Sequence, residues 1–150
     1  MNNRLYNIIF PIWLMLFNPL IGIPMLFVNY FIDRSIYYLI LRNNEFYVNN
    51  KKSFNTCVNL AFIMGITVDF LGFIFLVLVK GLEYSNYKEW IGLEVIFTII
   101  GCSLLIGFLN YHLSLTLKIP KNIAFKIGVC MGIITTPWLF LIPPYYNNFK

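Results

Sequence analysis

Asp33, Arg34, Asp69 and Glu94 are the charged residues that interrupt stretches otherwise apolar enough for a lipid bilayer. A charged side chain at mid-bilayer costs about 2.5–3.5 kcal/mol on insertion scales, so each needs a partner or a task. Asp69 lies mid-way through FIMGITVDFLGFIFLVLV. Gly65, Asp69 and Gly72 follow at i, i+4 and i+7 and share one helical face. Small residues beside an acid allow another helix to approach closely. The chemistry open to Asp69 is proton or cation binding. The alternative is a structural acid, paired with Arg34 or hydrogen-bonded to neighbouring spans.

Asp33 and Arg34 are adjacent, so on a helix they diverge by about 100° and cannot share a narrow face. Asn29, Asp33 and Tyr37 do line up at four-residue spacing. This polar stripe should face protein rather than lipid. Arg34 then turns to a partner acid or runs its stem towards the headgroups. Depth favours Asp69 as that acid: Arg34 lies ~12 Å from the inner end of its segment and Asp69 ~16 Å along its own. The expected contact is direct or bridged by one polar group such as Asn59. Glu94, in IGLEVIFTIIGCSLL with Thr98 and Gly101 on its face, is placed to reach the outer interface. Gly128 and Gly132 of GVCMG form a small-xxx-small pair. With Gly65 and Gly72 they predict close packing of the second and fourth spans. His112 reads as a solvated side chain at an interface. Cys57, Cys102 and Cys130 are odd in number and lack metal-ligand spacing, so they read as small apolar side chains. No metal site, cofactor motif, serine–histidine–acid order or phosphate loop is expected, and no catalytic residue is assigned.

The elements that must hold these residues are four apolar blocks: Leu5–Leu41, Val58–Val79, Ile91–Leu109 and Ile123–Ile142. Charged residues make up 11% of the chain, against about 25% in soluble domains. Its surface therefore cannot be mostly wet. Each of the last three blocks has about the 20 residues a helix needs to cross the hydrocarbon core. The expected fold is an all-α integral membrane protein, one helical membrane domain over residues 1–150. Leu5–Leu41 as one straight helix would run ~55 Å, too long for a perpendicular crossing. Pro11, Pro19, Gly22 and Pro24 break it, and Asn18–Pro24 reads as a turn or sharp kink. That gives a proline-broken N-terminal hairpin or re-entrant block followed by three transmembrane helices. The alternative is a single crossing of the first block and a four-span bundle.

Placing Arg42, Lys51, Lys52, Lys118, Lys121 and Lys126 inside leaves only Lys80 and Lys88, beside Glu83 and Glu89, in the opposite loop. The hairpin also brings Arg4 inside. Either arrangement puts Pro143–Lys150 outside. Met1–Arg4 could open a signal peptide, but no small-residue cleavage site follows, so the block reads as retained. Trp90, Trp138, Tyr84, Tyr87, Tyr145 and Tyr146 gather at the predicted borders as an aromatic belt. The net charge of +5 answers to the membrane, since its basic residues sit at span ends; no nucleic-acid partner is implied.

FPIWLMLF, NYFID, GITVDFLGF and TTPWLFLIPP together resemble a group of small uncharacterised multi-span membrane proteins of clostridia and related Firmicutes. The resemblance implies a bacterial plasma membrane and lends no functional residues, as the group has no established activity. Short loops and the lack of catalytic motifs point to a non-enzymatic accessory, assembly or protective subunit, acting through a membrane protein partner or as a homo-oligomer. A second reading is a small oligomeric proton- or cation-coupled transporter using Asp69, because broken apolar segments can expose backbone to a ligand. A third is an intramembrane enzyme acting on lipid, with Asp33 and Asp69 as acids.

Overall fold

Long apolar runs with few breakers fold here as helices. The computed structural model describes residues 19–42, 51–80 and 92–141. Among them are α1 (Pro19–Leu41), α2 (Lys51–Lys80), α3 (Leu93–Thr116), α4 (Lys121–Ile134) and a short 3-10 helix at Trp138–Leu141; no strand occurs in these segments.

α1 overturns the turn expected within Asn18–Pro24, since helix runs from Pro19 through Pro24; Asn18 lies outside the described residues. Pro19 takes the first helical position, where its missing N–H would have no partner anyway. Pro24 stands only five residues later and removes a single bond near the helix start. The proposed first arm, residues 5–17, lies outside the described residues.

α3 is longer than its apolar block and continues to Thr116, through polar residues that read as loop. Those side chains satisfy themselves on the preceding turn: Asn110 donates to the Ile106 carbonyl at 2.9 Å, Ser114 to that of Asn110 at 2.8 Å and Thr116 to that of His112 at 3.0 Å. The helix closes with the N–H of Ile119 on the Ser114 carbonyl (3.0 Å) and that of Lys118 on Leu115 (2.9 Å). This is a Schellman ending, in which Lys118 occupies the left-handed position usually held by glycine, φ 62°. Pro120 follows and caps α4.

α4 also departs from expectation. It has 14 residues, a length of ~21 Å, so Ile123–Ile142 is not one crossing helix. Pro137 disfavours helix at Thr136 and cannot donate. Thr135 and Thr136 turn their hydroxyls back onto the Met131 and Gly132 carbonyls, and the chain re-forms as the 3-10 helix. Two of the described helices, over Lys52–Val79 and Leu93–Thr116, are long and apolar enough to cross a membrane.

The helices run up and down and neighbour one another in the order α1, α2, α3, α4, with α4 closing back onto α1. α2 and α4 are thus diagonal, which overturns the expected glycine seam between them. Gly128 and Gly132 pack instead on α3. A Cβ on Gly128 would stand 2.7 Å from the Gly107 carbonyl oxygen, and one on Gly132 2.8 Å from that of Ser103. Ser103 donates its hydroxyl to the Gly132 carbonyl at 2.6 Å across this seam. Gly72 lets α2 approach Cys102 and Thr98 of α3 and Phe140 of the 3-10 helix, whereas Gly65 has nothing where its Cβ would be. Tyr37, Leu41, Val58, Leu76, Ile106, Ile127 and Met131 fill the centre. Large apolar side chains also cover the outside of every α-helix, among them Phe27, Phe31, Leu78, Phe97, Leu104 and Phe125.

Candidate functional site

The described interior of the bundle is largely apolar: apart from Thr98 and Thr136, whose hydroxyls return to the preceding turn, its buried polar residues form one group near the axis. α1 contributes Asp33, 1% exposed, and one turn later Tyr37, fully buried. They face inward because Asp33, Tyr37 and Leu41 repeat every four residues on the stripe opposite Phe31 and Leu39. The Tyr37 hydroxyl crosses the bundle and donates to Oδ1 of Asn110 on α3 at 2.9 Å. Asn110 is itself fully buried, and Ser114, one turn on, is too. Ser114 and Cys57 of α2 also come within polar contact of the tyrosine.

Asp69 joins this group from α2. It is within electrostatic reach of Asp33 on one side and of Cys102 on the other. Oδ1 of Asp33 and Oδ1 of Asp69 are both buried without a hydrogen-bond partner. Among the described residues, the charged group within electrostatic reach of Asp69 is therefore another acid rather than a base.

The predicted contact between Arg34 and Asp69 does not form. Nη1 of Arg34 donates to the Tyr30 hydroxyl at 3.4 Å and to Oδ1 of Asn55 at 3.2 Å, and the guanidinium lies 5.6 Å from the centre of the Phe54 ring. The Tyr30 hydroxyl passes the chain on to Asn59 at 3.2 Å. The relay ends there. Asn59 and Asp69 are ten residues apart on one helix, about 15 Å along its axis. Register defeats the pairing: Arg34 stands level with the start of α2 and Asp69 well past its middle.

Glu94 is exposed in the first turn of α3, where a negative charge complements the helix N-terminus. His112 is exposed between the rings of Phe108 and Tyr111. Cys57 and Cys102 are buried and Cys130 is half-buried. Of the four charged candidates, then, Asp33 and Asp69 both send a carboxyl oxygen into the interior, within electrostatic reach though not in contact, while Arg34 and Glu94 lie elsewhere. Sequence reasoning missed Asn110 and Ser114. Their spacing with Ile106 at i, i+4 and i+8 was the available signal, obscured because the segment reads as a polar loop.

An apolar recess of about 210 Å³ opens between α3 and the 3-10 helix, lined by Ile96, Ile99, Ile100, Ser103, Leu104, Trp138 and Leu141. It includes neither acid. Among the described residues no three His, Cys, Asp or Glu side chains converge as a metal site would require. Buried carboxyl oxygens of this kind suit a proton, which needs one oxygen, better than a hard divalent cation, which takes six or more. Comparison with known proteins returns no match, whether to a family model, a curated protein or a solved structure.

Proposed function

We propose that the chain is a multi-pass protein of a bacterial plasma membrane that binds a proton at Asp33 and Asp69 and couples it to transport. The membrane reading rests on the two long apolar helices and on the apolar outer faces of all four. A soluble bundle would cover such faces with polar side chains. The bacterial location rests on the resemblance drawn from the sequence. The basic ends, at Arg42, Lys52, Lys118, Lys121 and Lys126, are assigned to the cytoplasm and the C-terminus to the outside.

One observation carries the functional reading: two buried carboxyl oxygens have no donor, while the nearby arginine is held by other groups. An ionised carboxylate without a counter-charge in this interior costs several kcal/mol, and a bound proton removes that cost. Loading and release would thus alter how α1 and α2 sit against each other, which is what coupled transport needs. The test is the full chain in liposomes under an imposed pH gradient, with a pH-sensitive dye inside. The intact protein is expected to speed proton entry, and Asp69→Asn and Asp33→Asn to abolish the increase. Entry no faster than in protein-free liposomes would sink the reading.

A second reading, an accessory or assembly subunit, is favoured by Gly101, exposed on α3, which leaves open space where a Cβ would stand. A helix from a partner or a second copy could close in there. Stoichiometric copurification with a larger membrane protein, unaffected by Asp69→Asn, would select it.

A further inference from the structure

We infer that the seam between α1 and α2 binds the phosphate of an anionic phospholipid headgroup, with Arg34 as its principal ligand. This rests on the membrane reading but not on proton coupling. Arg34 is half-buried and held on three sides, by Tyr30, by Asn55 and by the Phe54 ring. Both hydrogen bonds of Arg34 leave from Nη1, so the edge formed by Nε and Nη2 has no partner among the described residues. That edge is the fork that meets a phosphate with two parallel bonds. No acid answers it among the described residues. Asp33 points into the core from the neighbouring position, and Asp69 lies beyond reach.

The height of the site selects the occupant. The Arg34 backbone lies seven residues from the end of α1, ~10 Å, but its guanidinium meets Asn55, only four residues or ~6 Å from the start of α2. The side chain therefore climbs towards the basic end of the bundle, where headgroup phosphates lie. Lys52 is exposed one turn before Asn55 on the same face of α2. Two cations and two exposed amides, Asn55 and Asn59, thus line one seam beside exposed apolar side chains. A phosphodiester matches that seam in charge, and its acyl chains match the exposed Phe27 and Phe31 further along α1.

The experiment uses the full chain in detergent, titrated with phosphatidylglycerol, phosphatidylcholine or inorganic phosphate. Thermal unfolding and native mass spectrometry read out the binding. Phosphatidylglycerol is expected to be retained and to raise the unfolding temperature, and phosphatidylcholine to do so far less. Arg34→Gln should weaken binding about tenfold or more, for loss of a bidentate charge-assisted pair. Lys52→Gln, which removes an exposed side chain and leaves the packing alone, should weaken it ~5-fold. Lys126→Gln, at the same end but on α4, should change nothing. If Arg34→Gln does not fold, Lys52→Gln decides. Equal binding by Lys52→Gln and the intact chain overturns the proposal, as does an equal response to inorganic phosphate, which would mark a site for free anions. Resistance of the protein to carbonate extraction from membranes is measured alongside. Extraction would refute the membrane reading itself, whereas resistance without lipid selectivity refutes only this site.

Discussion

At the scale of single residues, Asp33 and Arg34 are neighbours in sequence with different surroundings, because consecutive helical positions diverge by about 100°. That divergence, and the inward stripe of Asp33 and Tyr37, are legible in residue spacing alone. The destination of Arg34 is not, since it depends on how far α2 slides along α1, and no local pattern sets that. Because Arg34 and Asp69 share no contact, the losses from Arg34→Leu and Asp69→Leu should add to within about 0.5 kcal/mol in the double variant. Denaturation in mixed detergent micelles measures this, and a double variant that recovers much of the single losses would restore the pairing. Tyr37 and Asn110 should behave in the opposite way. Their hydrogen bond joins two fully buried side chains across the bundle. Tyr37→Phe leaves an amide oxygen without its donor and is expected to cost ~1 kcal/mol. Adding Asn110→Leu removes the stranded group and should return part of that loss. Simple additivity in the same assay would show that the bond contributes nothing of its own.

At the scale of elements, proline illustrates what a sequence can and cannot announce. Pro24 reads as a breaker yet is absorbed near the start of α1, whereas Pro137 sits inside an apolar block and ends α4 early. The difference lies in the donors lost. Near a helix start few bonds exist to lose, but at Pro137 the ring also constrains Thr136, whose hydroxyl turns back onto Gly132. Glycine roles divide similarly. The GVCMG spacing reveals a close-packing face but not its partner, because Ser103 and Gly107 on α3, a small-xxx-small pair, compete in sequence with the Gly65 and Gly72 face of α2. Gly132→Ala should therefore destabilise the bundle by about 1–3 kcal/mol, its Cβ meeting a backbone carbonyl oxygen 2.8 Å away that cannot rotate aside. Gly101→Ala meets open space, and should be neutral or gain up to about 1 kcal/mol from helix propensity. Thermal unfolding of the two variants side by side checks the contrast, and equal effects would place the α3–α4 seam elsewhere.

At the scale of the whole molecule, the antiparallel order of the helices brings four helix ends to one pole. The last residue of α1, the start of α2 and the turn from α3 to α4 converge there, presenting Arg42, Lys52, Lys118, Lys121 and Lys126, all exposed. The described acids lie elsewhere: Asp33 and Asp69 in the interior and Glu94 at the start of α3, the opposite pole. The sequence placed these basic residues in two separate segments, and folding turns them into one surface. On the proposed membrane reading, the positive-inside rule would act on the bundle as a unit, because reversing it would carry all five cations across together. The expected outcome is that Lys118→Cys and Lys121→Cys, in a chain with Cys57, Cys102 and Cys130 replaced, react with a membrane-impermeant maleimide only after cells are opened. Leu93→Cys, at the other pole and largely exposed at 70%, should react in intact cells. The α3 pair of positions is the informative one: Leu93 and Lys118 flank a single described helix long and apolar enough to cross. Their labelling therefore tests that crossing and its direction together, whatever the number of spans before α1. The reverse pattern would invert the bundle and move the Arg34 seam to the outer leaflet. Labelling of both positions from outside would mean that α3 does not span, and the proton-coupled reading would lose the barrier it needs.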